Sequence, residues 1–456
     1  MIANQASPET LLRKYDVPTP RYTSYPTVPC WEEHSFTTHQ WFDIVKATFD
    51  KSNSQKGISV YIHLPFCESL CTYCACTTRI TRNHSVEIPY IQAILKEWDF
   101  YRSIFGKKPL IRELHLGGGT PTFFSPENLA WLITYLLEGT DIHENFEFSF
   151  EGHPANTTTE HLKTLFDLGF RRVSFGVQDL DEKVQKTINR IQSFESLSSA
   201  VTAARTIGYT SVSFDLIYGL PFQNPFTVSN TFDRVLELKP DRLSFYSYAH
   251  VPWLKPGQRG YEDADLPSGP LKRHLYEIGR HKLHQAGYND IGMDHFSLRH
   301  DTLFKAHIAG TLHRNFMGYT TNNTDLLIGL GASAISDAAF AYGQNTKNVK
   351  EYLNAIKATG TAIEKGHVLT PEDITIRKAI LEMACRGKIG SELLSQVINE
   401  NMLNTLLDME QEGILYLTND GLQITTTGIA FIRNICHVFD KRQASKGGFK
   451  NFSKSI

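Results

Sequence analysis

The chain has 456 residues, 41% hydrophobic and 21% charged, and 46 basic against 48 acidic side chains give a formal net charge of −2. That length predicts two or three domains around a large core, while the balanced charge excludes a global field for nucleic acid or an anionic membrane. Glycine (31) and proline (19) stand at ordinary levels, which excludes collagen-like and broadly disordered chains, and no apolar run reaches the roughly 18 residues needed to span a membrane.

Met1 to Asp16 lacks an apolar signal region, so the sequence predicts a soluble cytoplasmic protein. Residues 1–56 show no strand–helix alternation, and the aromatic run Pro20-Arg-Tyr-Thr-Ser-Tyr-Pro26 predicts an extended N-terminal arm. From Gly57 the pattern changes. Ile58 to Pro65 reads as a buried strand rich in β-branched and aromatic residues. Five more follow: Ile111–Leu116, Phe146–Glu151, Arg172–Gln178, Ser211–Tyr218 and Arg242–Ala249. Amphipathic segments separate them. Ser125-Pro126-Glu127 supplies a capping hydroxyl, a first-turn proline and an acid, and Thr157 with Glu160 has capping-box spacing ahead of Leu162, Leu165 and Leu168. Six strands alternating with helices imply an α/β fold with parallel pairing and right-handed crossovers, which fits a doubly wound sheet or a partial or full barrel. After about Val368 the pattern turns mainly helical, opening at Thr370-Pro-Glu-Asp373. From Lys441 onward five basic and no acidic side chains predict a solvated tail. The predicted organisation is therefore an arm (1–56), a β/α catalytic domain (57–367) and a helical C-terminal domain (368–456).

Seven cysteines, Cys30, Cys67, Cys71, Cys74, Cys76, Cys385 and Cys436, argue against a disulfide framework, since the number is odd and no signal peptide precedes them. Four fall in Cys67-Glu-Ser-Leu-Cys71-Thr-Tyr-Cys74-Ala-Cys76, directly after the first strand and so beyond its carboxyl end, where α/β folds bind ligands. Three readings stand: an iron–sulfur cluster, structural zinc, or inert thiols. Zinc prefers two separated pairs of ligands, and the one-residue gap between Cys74 and Cys76 suits it poorly; an iron–sulfur cluster accepts ligands on spaced irons. If Cys67, Cys71 and Cys74 alone bind a cubane, one iron stays open to chelate a substrate.

Cys-x3-Cys-x2-Cys after a strand resembles the signature of radical S-adenosylmethionine enzymes. Tyr61-Ile-His-Leu-Pro-Phe-Cys67, Cys76, Gly117-Gly-Gly-Thr-Pro121, Gly176-Val-Gln-Asp179, Asp215-Leu-Ile-Tyr-Gly-Leu-Pro221, Gly292-Met-Asp-His-Phe296 and the N-terminal aromatic run narrow the resemblance to the oxygen-independent coproporphyrinogen III dehydrogenases (oxidases), from about Arg13 to Cys436. The resemblance implies an incomplete parallel β/α barrel. It implies one 4Fe-4S cluster on Cys67, Cys71 and Cys74, two molecules of S-adenosylmethionine, and a 5′-deoxyadenosyl radical. That radical takes a hydrogen from a propionate of coproporphyrinogen III; two decarboxylations to vinyl groups then give protoporphyrinogen IX in haem biosynthesis. It further implies an external electron donor such as a flavodoxin or ferredoxin, and a monomer.

By the same resemblance Gly118, Gly119, Thr120, Glu151, Gln178, Arg190 and Asp215 contact S-adenosylmethionine, and Tyr61 and Tyr73 border it. Ala249 and Ile335 match family contact positions. Taken as residues alone, the glycines read equally as a tight loop, the polar strand ends as turn caps and the tyrosines as core aromatics. Four substrate carboxylates need cationic anchors, for which Arg21 and Arg314 are the candidates, since arginine pairs carboxylates bidentately. Two departures stand out. Ala75 replaces a glycine, a strain if its φ is positive, and Gly152-His153 replaces Val-Asp, with His153 expected to alter charge near the cofactor. Two rival functions remain at this level: a haem-carrying chaperone of similar architecture, disfavoured by Ala75-Cys76 and the long arm, and a zinc-stabilised scaffold.

Overall fold

The computed structural model describes residues 8–31, 36–445 and 454. Six strands occur in chain order: β1 (Ile58–Leu64), β2 (Leu110–Gly118), β3 (Asp141–Gly152), β4 (Arg172–Gln178), β5 (Ser211–Tyr218) and β6 (Arg242–Ser247). Each lies parallel to the next. A doubly wound sheet needs a point where strand order reverses and helices change sides; six parallel strands laid down in sequence place every right-handed crossover on one face. The fold is therefore of barrel type. Six further strands extend its flanks: β7 (Asn289–Asp290), β8 (His295–Ser297), β9 (Leu327–Leu330), β10 (Ile335–Asp337), β11 (Ala341–Asn345) and β12 (Ile363–Val368). The full order is β12-β11-β10-β9-β1-β2-β3-β4-β5-β6-β8-β7, with the outermost strands unpaired to each other, so the barrel stays open.

Alternation along each strand separates two faces. Val60, Ile62, Leu114, Leu116, Phe148, Phe150, Phe175 and Phe214 point outward into the main core and pack against helices such as Glu87–Phe105, which contributes Ile91, Ile94 and Trp98. Each such burial is worth about 1.5–3 kcal/mol, and this layer supplies most of the stabilisation. The inward face is polar. Near the amino ends of the strands Ser59 and Thr320 each donate to Glu113 at 2.8 Å, Arg172 pairs with Glu147, and Arg242 Nε donates to Asp301 at 2.7 Å. The two arginines here each have a carboxylate and Glu113 has two hydroxyl donors, which is the condition for burying such groups.

The caps agree with the sequence at two positions and shift at a third. Ser125 accepts from the Asn128 amide, and Thr370 forms a capping box with Asp373 ahead of helix Pro371–Arg386. The box predicted from Thr157 and Glu160 belongs instead to Thr158 and His161, because the Thr157 hydroxyl donates to the His153 carbonyl. The first 56 residues are less extended than the sequence predicts, containing helices Pro8–Tyr15 and Thr38–Lys56. Trp41, Val45 and Phe49 of the latter join the barrel core. Tyr22 and Tyr25 of the aromatic run are buried in a second core with Ile376, Ile380, Met383, Leu406 and Ile435. The C-terminal region also holds a three-stranded sheet, Lys388–Gly390, Leu415–Thr418 and Gly421–Ile424, amid its helices. Of the basic tail, Lys441 pairs with Glu372, Arg442 with Asp373 and Lys454 with Asp16; residues 446–453 and 455–456 lie outside the described residues. Among the described residues no helix is long and apolar enough to cross a membrane.

Candidate active site

The cysteine loop leaves β1 and the glycine turn leaves β2, and their backbones are stitched together: the Gly119 amide donates to Leu64 O at 2.8 Å and the Thr120 amide to Phe66 O at 3.1 Å. This approach explains two of the glycines. Gly118 has φ +114°, and a Cβ there would sit 2.7 Å from the His63 ring; a Cβ on Gly119 would meet the Pro65 carbonyl at 2.7 Å. The stitching brings the Thr120 hydroxyl to 3.5 Å from Cys67 Sγ.

All four loop cysteines are free thiols. The Cys74 amide donates to Cys71 O at 3.1 Å, curling the loop, and Arg190 Nη1 donates to Cys71 Sγ at 3.6 Å. Arg190 is held there by its own amide, which donates to Gln185 O at 2.9 Å, and by its second terminal nitrogen, which donates to Gly176 O. A Cβ on Gly176 would lie 2.7 Å from Gln178 Nε2 and 2.8 Å from that guanidinium, so a larger residue here would displace one of these side chains. Arg190 Nε is buried without a partner among the described residues. Burial pushes the Cys67 thiol up to about 11, and the hydrogen bond between Cys74 and Cys76 lowers the former and raises the latter. No three His, Cys, Asp or Glu side chains among the described residues close around a single-ion position. Three free thiols on one loop with a guanidinium on one sulfur are the donor chemistry of a soft, anionic, multi-iron centre, so the residues fit an iron–sulfur cluster.

Around this centre the strand ends present polar groups. Glu151 accepts from the Gly118 amide at 3.3 Å and lies 3.5 Å from His115 Nε2. Tyr61 stacks on His115 at 5.9 Å, and its hydroxyl pairs with His63 Nδ1 at 3.1 Å. Asp215 accepts from Ser174 Oγ at 3.0 Å; burial pushes its carboxyl up to about 6, and the Glu151 charge adds to the shift. Gln178 closes β4 with φ +64°. Glu151 stands opposite Ser174 and Gly176 opposite Asp215 in the strand register, so these residues share one edge. Tyr73, next to Cys71, packs on the cluster of Val184, Ile188 and Leu220. Ala249 lies just past β6, its carbonyl accepting from Gln258 at 3.1 Å. Ile335 begins β10 at the same edge, its carbonyl 2.5 Å from where a Cβ on Gly329 would stand, and Gly329 is the register partner of Tyr61.

The two candidate arginines meet. Arg21 donates to Ser247 O at 2.8 Å at the end of β6 and sits 3.7 Å from Asp294. Arg314 donates to Arg21 O at 3.2 Å and lies over the Tyr319 ring. Arg314 is only 6% exposed, and its Nε and Nη1 have no partner among the described residues. Arg433 donates to Pro20 O at 3.2 Å and to Thr19 O, fixing the segment that carries Arg21.

Sequence reasoning assigned no role to several residues that line this interior: His63, His115, Tyr246 and His295. His295 on β8 is the register partner of Ser244, whose other neighbour is Asp215; it contacts Tyr246 at 3.3 Å and is lowered to about 3, first by burial and then by Arg314. The signal was present as polar alternation, Tyr61-x-His63 and Ser244-x-Tyr246, and as the Gly292–Phe296 motif. The two departures resolve differently from expectation. Ala75 is absent from the residues with positive φ, so its methyl causes no strain. His153 adds no charge: burial and the repulsion of Arg190 lower it to about 3, leaving it neutral.

A family model for the radical SAM superfamily matches residues 61–235. The oxygen-independent coproporphyrinogen III oxidase of Pseudomonas aeruginosa is 37% identical over 440 residues, covering 94% of this chain and 95% of that protein. The one from Escherichia coli is 36% identical over 453 residues and covers 98% of both. The solved structure of coproporphyrinogen III oxidase (HemN) from Escherichia coli, described there as a radical SAM enzyme, matches with a TM-score of 0.87 at 35% identity over 93% of this chain and 99% of that one. Membership in this superfamily carries a 4Fe-4S cluster and S-adenosylmethionine with it, which sets aside the zinc scaffold, and the likeness to the oxidases over nearly the whole chain favours them over the haem-carrying chaperone. The chain belongs to the radical SAM superfamily and, within it, to the oxygen-independent coproporphyrinogen III oxidases.

Proposed function

We propose that this enzyme converts two propionate side chains of coproporphyrinogen III to vinyl groups, giving protoporphyrinogen IX without oxygen, in the cytoplasm and as a monomer, with residues 1–56, 57–367 and 368–456 as arm, catalytic domain and C-terminal domain. Each propionate loses a hydrogen atom, an electron and carbon dioxide. Cys67, Cys71 and Cys74 hold the cluster, and two molecules of S-adenosylmethionine sit among Tyr61, Tyr73, Gly118, Gly119, Thr120, Glu151, Gln178, Arg190, Asp215, Ala249 and Ile335. When bound, cluster and S-adenosylmethionine together supply the hydrogen-abstracting oxidant, and the protein positions and shields it.

The chain's own residues divide the remaining work. Arg190 places a fixed positive charge on Cys71 Sγ, offsetting thiolate charge at that site. Glu151 fixes the Gly118 amide, so the glycine turn offers backbone groups to a ligand in a set direction. Asp215, held up by burial, gains most from a cationic or hydroxyl-bearing neighbour that restores its charged form. Arg21 and Arg314 seat substrate carboxylates, and Arg433 holds Arg21 in reach through the carbonyls of Thr19 and Pro20. Neutral His295 keeps Tyr246 oriented without adding to the positive charge there.

The observation that carries this reading is the convergence of the cysteine loop, the glycine turn and Arg190 at one sheet edge. The test is an oxygen-free incubation of the reconstituted enzyme with coproporphyrinogen III, S-adenosylmethionine and dithionite. Protoporphyrinogen IX and 5′-deoxyadenosine should form together, and both should vanish in Cys71→Ala; product without 5′-deoxyadenosine would reject it.

A further inference from the structure

The motif Gly292-Met-Asp-His-Phe296 lies outside the cluster and cofactor positions, yet its first four residues touch the elements that carry Arg21 and Arg314. A hairpin of His313–Asn315 and Gly318–Thr320 holds Arg314 and Tyr319 as register partners, with the guanidinium 4.6 Å over the ring. Gly292 leaves room for that ring, since a Cβ there would stand 2.2 Å from Tyr319 Cζ. The Met293 amide donates to the Tyr319 hydroxyl at 3.3 Å, and the hydroxyl donates to Ala384 O at 2.7 Å, which ties the hairpin to the C-terminal region. Asp294 reaches the other arginine, with Oδ2 3.7 Å from Arg21 Nη1. Its carbonyl accepts from the Phe245 amide at 2.7 Å and so fixes the motif to β6.

His295 joins the two halves. Its ring meets Tyr246 edge to face, with centroids 5.6 Å apart and planes at 82°, and meets Tyr319 in the same manner at 5.0 Å and 77°. Its Nε2 lies 3.3 Å from the Tyr246 hydroxyl. The Arg21 guanidinium lies 5.5 Å over the Tyr246 ring, and Arg314 Nη2 donates to Arg21 O at 3.2 Å. These contacts form a closed circuit from Arg21 through Tyr246, His295, Tyr319 and Arg314 back to Arg21. Each cation faces a π-surface that attracts it, and each ring is wedged between two neighbours, so the guanidiniums cannot change their separation without breaking a contact. Burial, with the charge of Arg314 adding, keeps the imidazole neutral, and it therefore spaces two cations without becoming a third.

We infer that residues 292–296 are a specificity-determining segment: through His295 they hold Arg21 and Arg314 at one fixed separation, which selects a tetrapyrrole by the positions of its carboxylates. The inference rests on reading the two arginines as the carboxylate anchors of the proposed reaction. Coproporphyrinogen III and its positional isomer coproporphyrinogen I carry the same methyl and propionate groups in a different order, so total charge and apolar area cannot tell them apart. Two cations at a set distance can. A guanidinium binds a carboxylate along defined directions, and an isomer whose carboxylate falls elsewhere leaves that charge unmatched. His295 touches no substrate here; it is a positioning residue that acts through Tyr246 and Tyr319.

The test uses the reconstituted holoenzyme in oxygen-free buffer. Isothermal titration calorimetry with S-adenosylmethionine omitted gives the dissociation constant of each isomer, and equilibrium dialysis gives that of S-adenosylmethionine. Wild type should bind isomer III about tenfold or more tightly than isomer I. H295F fills the slot but loses the bond to Tyr246; it should weaken isomer III by about tenfold or more and isomer I by no more than about threefold, with S-adenosylmethionine affinity kept within about twofold. H295Q, whose amide reaches the Tyr246 hydroxyl, should restore most of the preference. G292A, which displaces Tyr319 from the other side, should repeat its loss. An unchanged isomer ratio in H295F overturns the inference, as does a wild type without preference or a preference that survives in both R21M and R314M. Equal losses for both isomers and for S-adenosylmethionine also overturn it, because His295 would then serve the fold alone. If wild type prefers isomer III yet forms no protoporphyrinogen IX with S-adenosylmethionine and dithionite, the proposed function fails while the selection by spacing stands.

Discussion

Asp215→Asn should separate stability from function. The carboxyl is pushed from its ordinary 3.8 up to about 6, first by burial and then by Glu151, so ionising it costs folding energy. A carboxylate with a raised folded pKa loses stability as pH rises from the unfolded value toward the folded one, and the full loss is present above pH 6. Two units correspond to about 3 kcal/mol at most, and partial exposure of the side chain reduces that to about 1–2 kcal/mol. Asparagine keeps an acceptor for the Ser174 hydroxyl, bonded at 3.0 Å, and removes the charge. The apo variant should therefore be more stable than wild type by about 1–2 kcal/mol at pH 7.5, with the gain roughly a third as large at pH 4.5. Urea unfolding at the two pH values measures this, and equilibrium dialysis with S-adenosylmethionine should show weakened binding by the same variant. A variant no more stable at pH 7.5, or one with the same advantage at both pH values, would refute the electrostatic account of this strand end.

Arg314→Met should raise KM for coproporphyrinogen III at least tenfold, since a charge-assisted hydrogen bond is worth about 1.5–3 kcal/mol, with kcat changed less than about threefold; steady-state kinetics read the split, and a melting curve should show little loss of stability, because removing a buried cation whose Nε and Nη1 lack partners among the described residues offsets the lost bond to Arg21 O and the contact with the Tyr319 ring. Gly118→Ala should destabilise by about 2 kcal/mol, as alanine meets both φ +114° and the His63 ring at 2.7 Å, and should lower iron content after reconstitution. Glu97 is fully buried and accepts from the Gly331 amide, Asn345 and Tyr352; Glu97→Ala should cost about 3 kcal/mol or more in urea unfolding by stranding those donors. Burial raises Glu97 to about 7, so wild-type stability should fall as pH rises from about 4.5 to 7 and level off above, with a flatter profile in Glu97→Gln.

The sequence made the central strands legible because their outward residues are strongly apolar: Arg172–Gln178 and Ser211–Tyr218 are bounded as read. β3 is longer than read, Asp141–Gly152 rather than Phe146–Glu151. Its register against β2 jumps from Ile111↔Ile142 to Glu113↔Glu147, so polar residues bulge between the paired stretches and leave no alternation to detect. β7 to β12 were invisible, being two to six residues long and interrupted by Gly329, Gly331 and Gly343. The arm was misread in part: Thr38–Lys56 carries Trp41, Val45 and Phe49 at helical spacing, a signal outweighed by the absence of neighbouring strands. Of the candidate site, the cysteine loop and the glycine turn are legible as segments leaving β1 and β2. The meeting of Arg21 with Arg314, 293 residues apart, was not, since only the fold brings them together.

The inward face of the barrel carries charge in two different ways, and the difference locates the chemistry. At the floor Arg172 is paired with Glu147, Arg242 with Asp301, and Glu113 accepts from two hydroxyls, so each cation there has a carboxylate even though Arg172 Nε itself is left without a partner among the described residues. At the carboxyl edge the contacts of Arg190 and Arg314 are a thiol, backbone carbonyls and an aromatic ring rather than a carboxylate, Arg314 Nε and Nη1 and Arg190 Nε have no partner among the described residues, and the Asp215 carboxyl is pushed up to about 6. A fold that can neutralise its buried charges at one end has no structural reason to leave them unsatisfied at the other. The unsatisfied groups are cations, suited to carboxylates, beside an acid suited to a cation, which is the complement of a polycarboxylate substrate next to a sulfonium-bearing cofactor. Ligands of those two kinds should each raise the unfolding temperature and should do so independently of the floor, whose charges they do not touch.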